Sequence, residues 1–186
     1  DADGNILASR MKVSQGVIVL VVADSGARYP ITIDPIITAQ QAKLGPETGF
    51  GAPYDEFGYS VALYGDTALI GAHLDDNNGS GSGSVYVFNR SGTAWTLQAK
   101  FTADDGASGD HFGCAVALDG DTALVGAYFD DDNGSASGSA YVFTRTGTTW
   151  TQQAKLTASD GAVNDCFGLS VAIYGDTALV GAYLDD

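Results

Sequence analysis

The chain has 186 residues, with 8 Lys and Arg against 23 Asp and Glu, and a net charge of −15 at pH 7. That balance argues against nucleic acid, because a phosphate binder needs clustered cations to displace counterions, and it disfavours anionic membrane surfaces for the same reason. The longest apolar run, Val17 to Ala23, is far too short to cross a bilayer, so no membrane insertion is expected. Asp1 does not open a charged-then-apolar leader. The expectation is a processed or excised piece of a longer protein.

In chain order, Val17 to Val22 and Tyr29 to Ile33 read as strands, with Pro30 and Pro35 marking an edge or a linker. Residues 1–35 are therefore taken as the tail of an upstream β element. The segment Ala39-Gln40-Gln41-Ala42-Lys43-Leu44 matches Thr151 to Leu156, so residues 36–56 read as an outer strand and its connection. A repeat then begins. Phe57-Gly58-Tyr59-Ser60-Val61-Ala62-Leu63 recurs from Phe112-Gly113 and from Phe167-Gly168, at a strict spacing of 55 residues. Each copy continues through Gly-Asp-Thr-Ala-Leu to a Gly-Ala pair, at Gly71-Ala72, Gly126-Ala127 and Gly181-Ala182.

Each unit reads as four short strands. Phe57 to Leu63 is the first, and Gly65-Asp66 makes a two-residue turn in which glycine supplies positive φ. Thr67 to Leu74, apolar or small on both faces, is a strand buried on both sides. An Asp/Asn/Gly/Ser loop follows, then strands over Ser84 to Arg90 and Trp95 to Phe101, the last alternating apolar with polar. Nothing in the chain has helical periodicity. Four antiparallel strands that grade from buried to half-wet make a propeller blade. The predicted fold is all-β: blades at 57–111 and 112–166, the first half of a third at 167–186, and an incomplete ring. A full ring needs four to eight blades, so the missing ones are expected from a parent chain or from self-association.

The Phe-Gly heads (Phe57-Gly58, Phe112-Gly113, Phe167-Gly168) and the Gly-Ala pairs resemble the FG-GAP repeat of integrin α subunits. His73, Tyr128 and Tyr183 replace the proline that usually follows Gly-Ala. The resemblance covers roughly residues 36 to 186. It implies an extracellular or cell-surface interaction module of the adhesion type, without catalysis, presenting loops to protein or glycan partners. Calcium-binding blades of that family resemble Asp-x-Asp-x-Asp-Gly between the two elements. Only Tyr64-Gly65-Asp66 or its equivalents stand there in this chain, so that site carries over to no position.

A different calcium site is conceivable in the acidic loops, where Asp75, Asp76 and Asn77 in one blade correspond to Asp130, Asp131 and Asp132 in the next. Calcium takes six to eight oxygens, and flexible Asp/Asn/Gly loops supply them. The competing reading is a solvated hairpin loop. Asp66, Asp121 and Asp176 recur at one turn and read as turn chemistry. His111, Cys114 and Cys166 break the repeat, but as a zinc set they lack a fourth ligand. A Cys114–Cys166 disulfide stands as the alternative to two free thiols. Trp95 and Trp150 open the outer strands on their apolar face and read as core before sugar platforms. A calcium-dependent lectin or a glycan-acting enzyme using the acidic loops is the rival function.

Overall fold

The computed structural model describes residues 9–14, 17–22, 42–45 and 54–185, in two compact units divided between Lys43 and Leu44. In the first unit, β1 (Ser9–Ser14) and β2 (Val17–Val22) form an antiparallel hairpin with Ser14 opposite Val17. β2 is the strand that the apolar run predicts. β1 has only Met11 and Val13 as large apolar residues, too weak a pattern to announce itself. The predicted strand Tyr29–Ile33 and residues 39–41 of the predicted outer strand lie outside the described residues, and residues 42–45 carry no regular structure.

The second unit holds the repeats. β3 (Ser60–Tyr64), β4 (Thr67–Ala72), β5 (Ser84–Ser91) and β6 (Ala94–Phe101) make the first blade, a four-stranded antiparallel sheet in sequence order. β7 (Ala115–Asp119), β8 (Thr122–Ala127), β9 (Ser139–Thr146) and β10 (Thr149–Leu156) make the second. β11 (Phe167–Tyr174) pairs with β12 (Thr177–Ala182) as the first half of a third. Among the described residues every regular element is a strand, and the sheets stand open, as an incomplete propeller requires.

Local sequence sets the details. Tyr64 faces Thr67 across β3 and β4, leaving Gly65-Asp66 as a two-residue turn. Gly65 sits at φ 56°, with Gly120 at 59° and Gly175 at 53°, the positive value that the first turn position of a II′ hairpin demands. The first strand is shorter than the pattern suggests in blades one and two. Gly58 at φ 95°, Gly113 at φ 88° and Gly168 at φ 94° turn the same lead-in, closed in the first blade by Tyr59 N–H donating to the Glu56 carbonyl at 3.1 Å. In the third, Phe167 pairs with Ala182 and β11 continues through the turn with a register shift.

The second strand is the most buried element. Every residue of β4 is buried, as are all but Thr122 in β8, because a neighbouring strand or blade covers each face. Leu69, Val85, Val87, Phe112, Val125, Tyr141 and Phe143 form one continuous core through both complete blades. Val116 and Leu118 of β7 pack against that core, whereas their counterparts Val61 and Leu63 in β3 are 69% and 67% exposed. The difference is positional: β7 has a preceding blade against it.

The repeat glycines join one blade to the next. A Cβ on Gly71 would stand on the Gly113 carbonyl oxygen, and one on Gly126 on that of Gly168. Ser60 Oγ donates to the same Gly113 oxygen at 2.7 Å. Beside this contact, Phe112 N–H donates to the Ser82 carbonyl and Phe167 N–H to the Ser137 carbonyl, both at 3.0 Å. The Phe-Gly heads of the second and third units are thus hydrogen-bonded to the blade before them. Gly126→Ala is expected to cost roughly 3 kcal/mol, since neither backbone can yield cheaply. Urea unfolding should show a lower midpoint at unchanged slope.

Candidate functional site

The acidic loops between the second and third strands repeat the same backbone hydrogen bonds. In the first, Gly83 N–H donates to the Asp75 carbonyl, Gly79 N–H to that of Asp76, and Ser82 N–H to that of Gly79. The second loop makes the same three bonds through Gly138, Gly134 and Ser137. The carboxylates join in. Asp76 Oδ1 accepts Gly81 N–H at 2.8 Å, and Asp131 Oδ1 accepts Ala136 N–H at 2.7 Å. Asp75 Oδ1 takes Asn77 N–H and Asp130 Oδ1 takes Asp132 N–H, each at 3.2 Å. Side-chain carboxylates here do the work of turn formation.

Asp75 and Asp130 are buried, and each meets a lysine. Lys100, on the outer strand β6, reaches back across the blade and puts Nζ 2.7 Å from Asp75 Oδ2, where the Tyr86 hydroxyl also donates at 2.8 Å. In the second blade Lys155 Nζ and the Tyr141 hydroxyl stand at 2.8 Å from Asp130 Oδ2, and Ser139 Oγ donates to Oδ1 at 3.0 Å. Both ammonium groups lie near the tyrosine ring, 4.9 Å from the Tyr86 centroid and 5.3 Å from that of Tyr141. The outer-strand lysines were legible only as polar-face residues. Their recurrence 55 residues apart, in Ala99-Lys100 and Ala154-Lys155, was the available signal.

The second blade concentrates more charge. Asp105, Asp130 and Asp132 bring carboxylate oxygens within 4.8 Å of one another, and Lys155 Nζ lies among them, at 2.8 Å from Asp105 and 2.5 Å from Asp132. Burial works against the Lys155 charge, but the three carboxylates outweigh it and push its pKa up. Burial likewise works to raise Asp130, and hydrogen bonds from Lys155 and Tyr141 overcome it and hold the carboxyl below the usual range. Burial and then the aspartate contact raise the phenols of Tyr86 and Tyr141, so both remain neutral donors. A tethered ammonium occupies the position among these oxygens.

The other sequence candidates are placed separately. Asp66 and Asp121 hold their turns through the Arg90 and Arg145 backbone amides and also bind those guanidinium groups, with Nε at 2.7 Å. Cys114 and Cys166 are free thiols; burial pushes Cys114 up to about 12, which leaves it unreactive at neutral pH. His111 Nδ1 is 3.1 Å from the Tyr128 hydroxyl. Among the described residues His111, Cys114 and Cys166 do not converge as ligands. Trp150 stacks on Phe101 at 5.8 Å under the Arg145 guanidinium, and Arg90 covers Trp95, so both indoles are used inside the fold.

Lys155→Met removes the cation that, among the described residues, sits among three carboxylates, and should cost roughly 3–5 kcal/mol at pH 7. The Asp130 carboxyl titrates lower folded than unfolded. The pair's contribution is therefore complete above about pH 4 and is lost as the pH falls through the folded value. Denaturation of both proteins between pH 7 and pH 3 should show the deficit of the variant narrowing on acidification.

The FG-GAP repeat model matches residues 38–88, 95–143 and 150–186. The second and third matches begin at Trp95 and Trp150, on the outer strands β6 and β10, so the unit of sequence straddles two blades. No curated protein matches the chain at a significant level. With most of its length covered in three successive copies, the chain belongs to the FG-GAP repeat family.

Proposed function

We propose that this chain is a non-catalytic interaction module of an extracellular or cell-surface protein, presenting its loops to a protein or glycan partner. The observation that carries this reading is the duplication of the acidic loop. Catalysis needs one distinct constellation with a free acid, base or nucleophile. Here the two candidate sites share one inner arrangement, in which the carboxylate is already bound to lysine and tyrosine. Carboxylates committed in this way are not available as a glycosidase pair. What is exposed for recognition is the crown, Asp76, Asn77 and Asn78 on one blade and Asp131, Asp132 and Asn133 on the next, although Asp76 and Asp131 also brace their turns and Asp132 meets Lys155.

The same geometry favours a metal-free module. Lys100 and Lys155 neutralise the carboxylates that calcium would require, and an added divalent ion would have to displace a tethered ammonium. Exposed Val61 and Leu63 suit a further blade, from a parent chain or from a second copy.

The test is binding to arrays of glycans and extracellular proteins, run in chelator and in millimolar calcium. The expected result is binding that survives chelation and weakens at least about tenfold, or 1.4 kcal/mol, when both crowns are replaced by Gly and Ser. Melting curves in the two buffers should coincide. Calcium at a hundred times its dissociation constant would instead add about 2.7 kcal/mol, a rise of roughly 5–11 °C for a chain this size. That rise would replace the reading with a calcium-dependent lectin, and cleavage of an arrayed glycan would replace it with an enzyme.

A further inference from the structure

We propose that His73 and His111 form an acid-sensitive clasp across the seam between the first and second blades. His73 follows β4 directly and is 6% exposed. Its Nδ1 is buried without a hydrogen-bond partner. His111 belongs to the lead-in of the second blade, held at φ 57° with its N–H donating to the Gly81 carbonyl of the first blade at 3.1 Å. The two imidazoles meet edge to face, centroids 5.2 Å apart at 82°.

The surroundings favour neutral rings. His73 lies under the Tyr59 ring at 3.9 Å, and His111 packs on Tyr128 and Phe129 at 5.5 and 5.0 Å. The titratable groups facing the pair are Glu56, 3.7 Å from His73 Nε2, the Tyr59 phenol, and the Tyr128 hydroxyl on His111 Nδ1. Asp55 and Asp76 line a cleft of about 360 Å³ that His111 borders. Glu56 can offset one proton. A second would set two cations about 5 Å apart in a half-buried contact, where screening by water is weak. Burial lowers the pKa of each ring, with Glu56 opposing it at both, and His73 lowers His111 further.

The pair is specific to one seam. Position 73 is tyrosine in the other copies, Tyr128 and Tyr183, and position 111 is Glu56 or Cys166. These are the chain's two histidines. Their folded pKa values lie below the unfolded 6.5, so the unfolded chain takes up protons first as the pH falls. Stability from the clasp is complete above about pH 7 and is lost as the pH falls through the folded values. Acidification loosens the lead-in of the second blade from the end of β4.

The experiment is a proton NMR titration of the two imidazoles in chelator, with melting curves from pH 7.5 to 5.5. Both rings should titrate below 6.5, and His111 should shift upward in His73→Tyr, with His111→Gln as the companion variant. The melting temperature should fall over that range, and by less in either variant. Titration of both rings at or above 6.5 in the unaltered chain would overturn the proposal without requiring either variant to fold. An unchanged pH dependence in both variants would also overturn it.

Discussion

The structure depends on the approach of one backbone to another at the glycine of each Gly-Ala pair. Gly71 and Gly126 leave no room for a Cβ between the second strand of one blade and the Phe-Gly turn of the next. A methyl group at either place would separate the blades, exposing the core that Phe112 and Leu69 share. The head residue follows from the same constraint. Phe112 is fully buried, and its ring packs on Phe101 of the first blade and on Tyr141 and Phe143 of its own. The family motif is therefore a joint: its glycines allow the approach, and its phenylalanine fills the space behind it.

The second constraint is electrostatic. A propeller blade must carry its chain from the second strand to the third across an open end, and here an aspartate is buried to organise that crossing. Burying a carboxylate alone would be costly. The chain supplies the countercharge from its own outer strand, 25 residues later, with a tyrosine on the intervening strand donating to the same oxygen. Loop, third strand and outer strand are thereby tied at one point. In both complete blades the lysine stands at the same position of the outer strand, Lys100 and Lys155.

Most of the fold was legible because the repeat is strict. A 55-residue spacing held over three copies fixes strand number, strand order and the turn at Gly65-Asp66, whatever the strength of any one segment. Boundaries were less legible at the Phe-Gly heads. Phe57-Gly58-Tyr59 looks extended, but Gly58 turns the chain at positive φ, and β3 begins only at Ser60. The site was half legible. Asp75 and Asp130 stood out as oxygen donors, but their partners did not, because Lys100 and Lys155 sit on a strand whose alternation marks them as outward. A long side chain can leave a polar face and snorkel back over an aromatic ring, which alternation does not encode. The lysines' recurrence carried the information; their spacing from the aspartate did not.

Strict repetition also sharpens what breaks it. Positions under the joint constraint, such as Gly71, Gly126 and Gly181, do not vary among the copies. Two positions at the seam do vary: 111 differs in every unit, as Glu56, His111 and Cys166, and 73 is histidine in one unit and tyrosine in the other two. The backbone contacts there are the same at both seams: His111 N–H donates to the Gly81 carbonyl as Cys166 N–H does to that of Ala136. The side chains beside those bonds are thus released from the joint's geometry and can take on chemistry of their own. At the seam between the first and second blades that chemistry is a pair of imidazoles. At the next, Tyr128 and Cys166 stand in the same places, with no group that titrates near neutrality in its ordinary state. Identical joints with different side chains let seams of one propeller respond differently to the same change in pH.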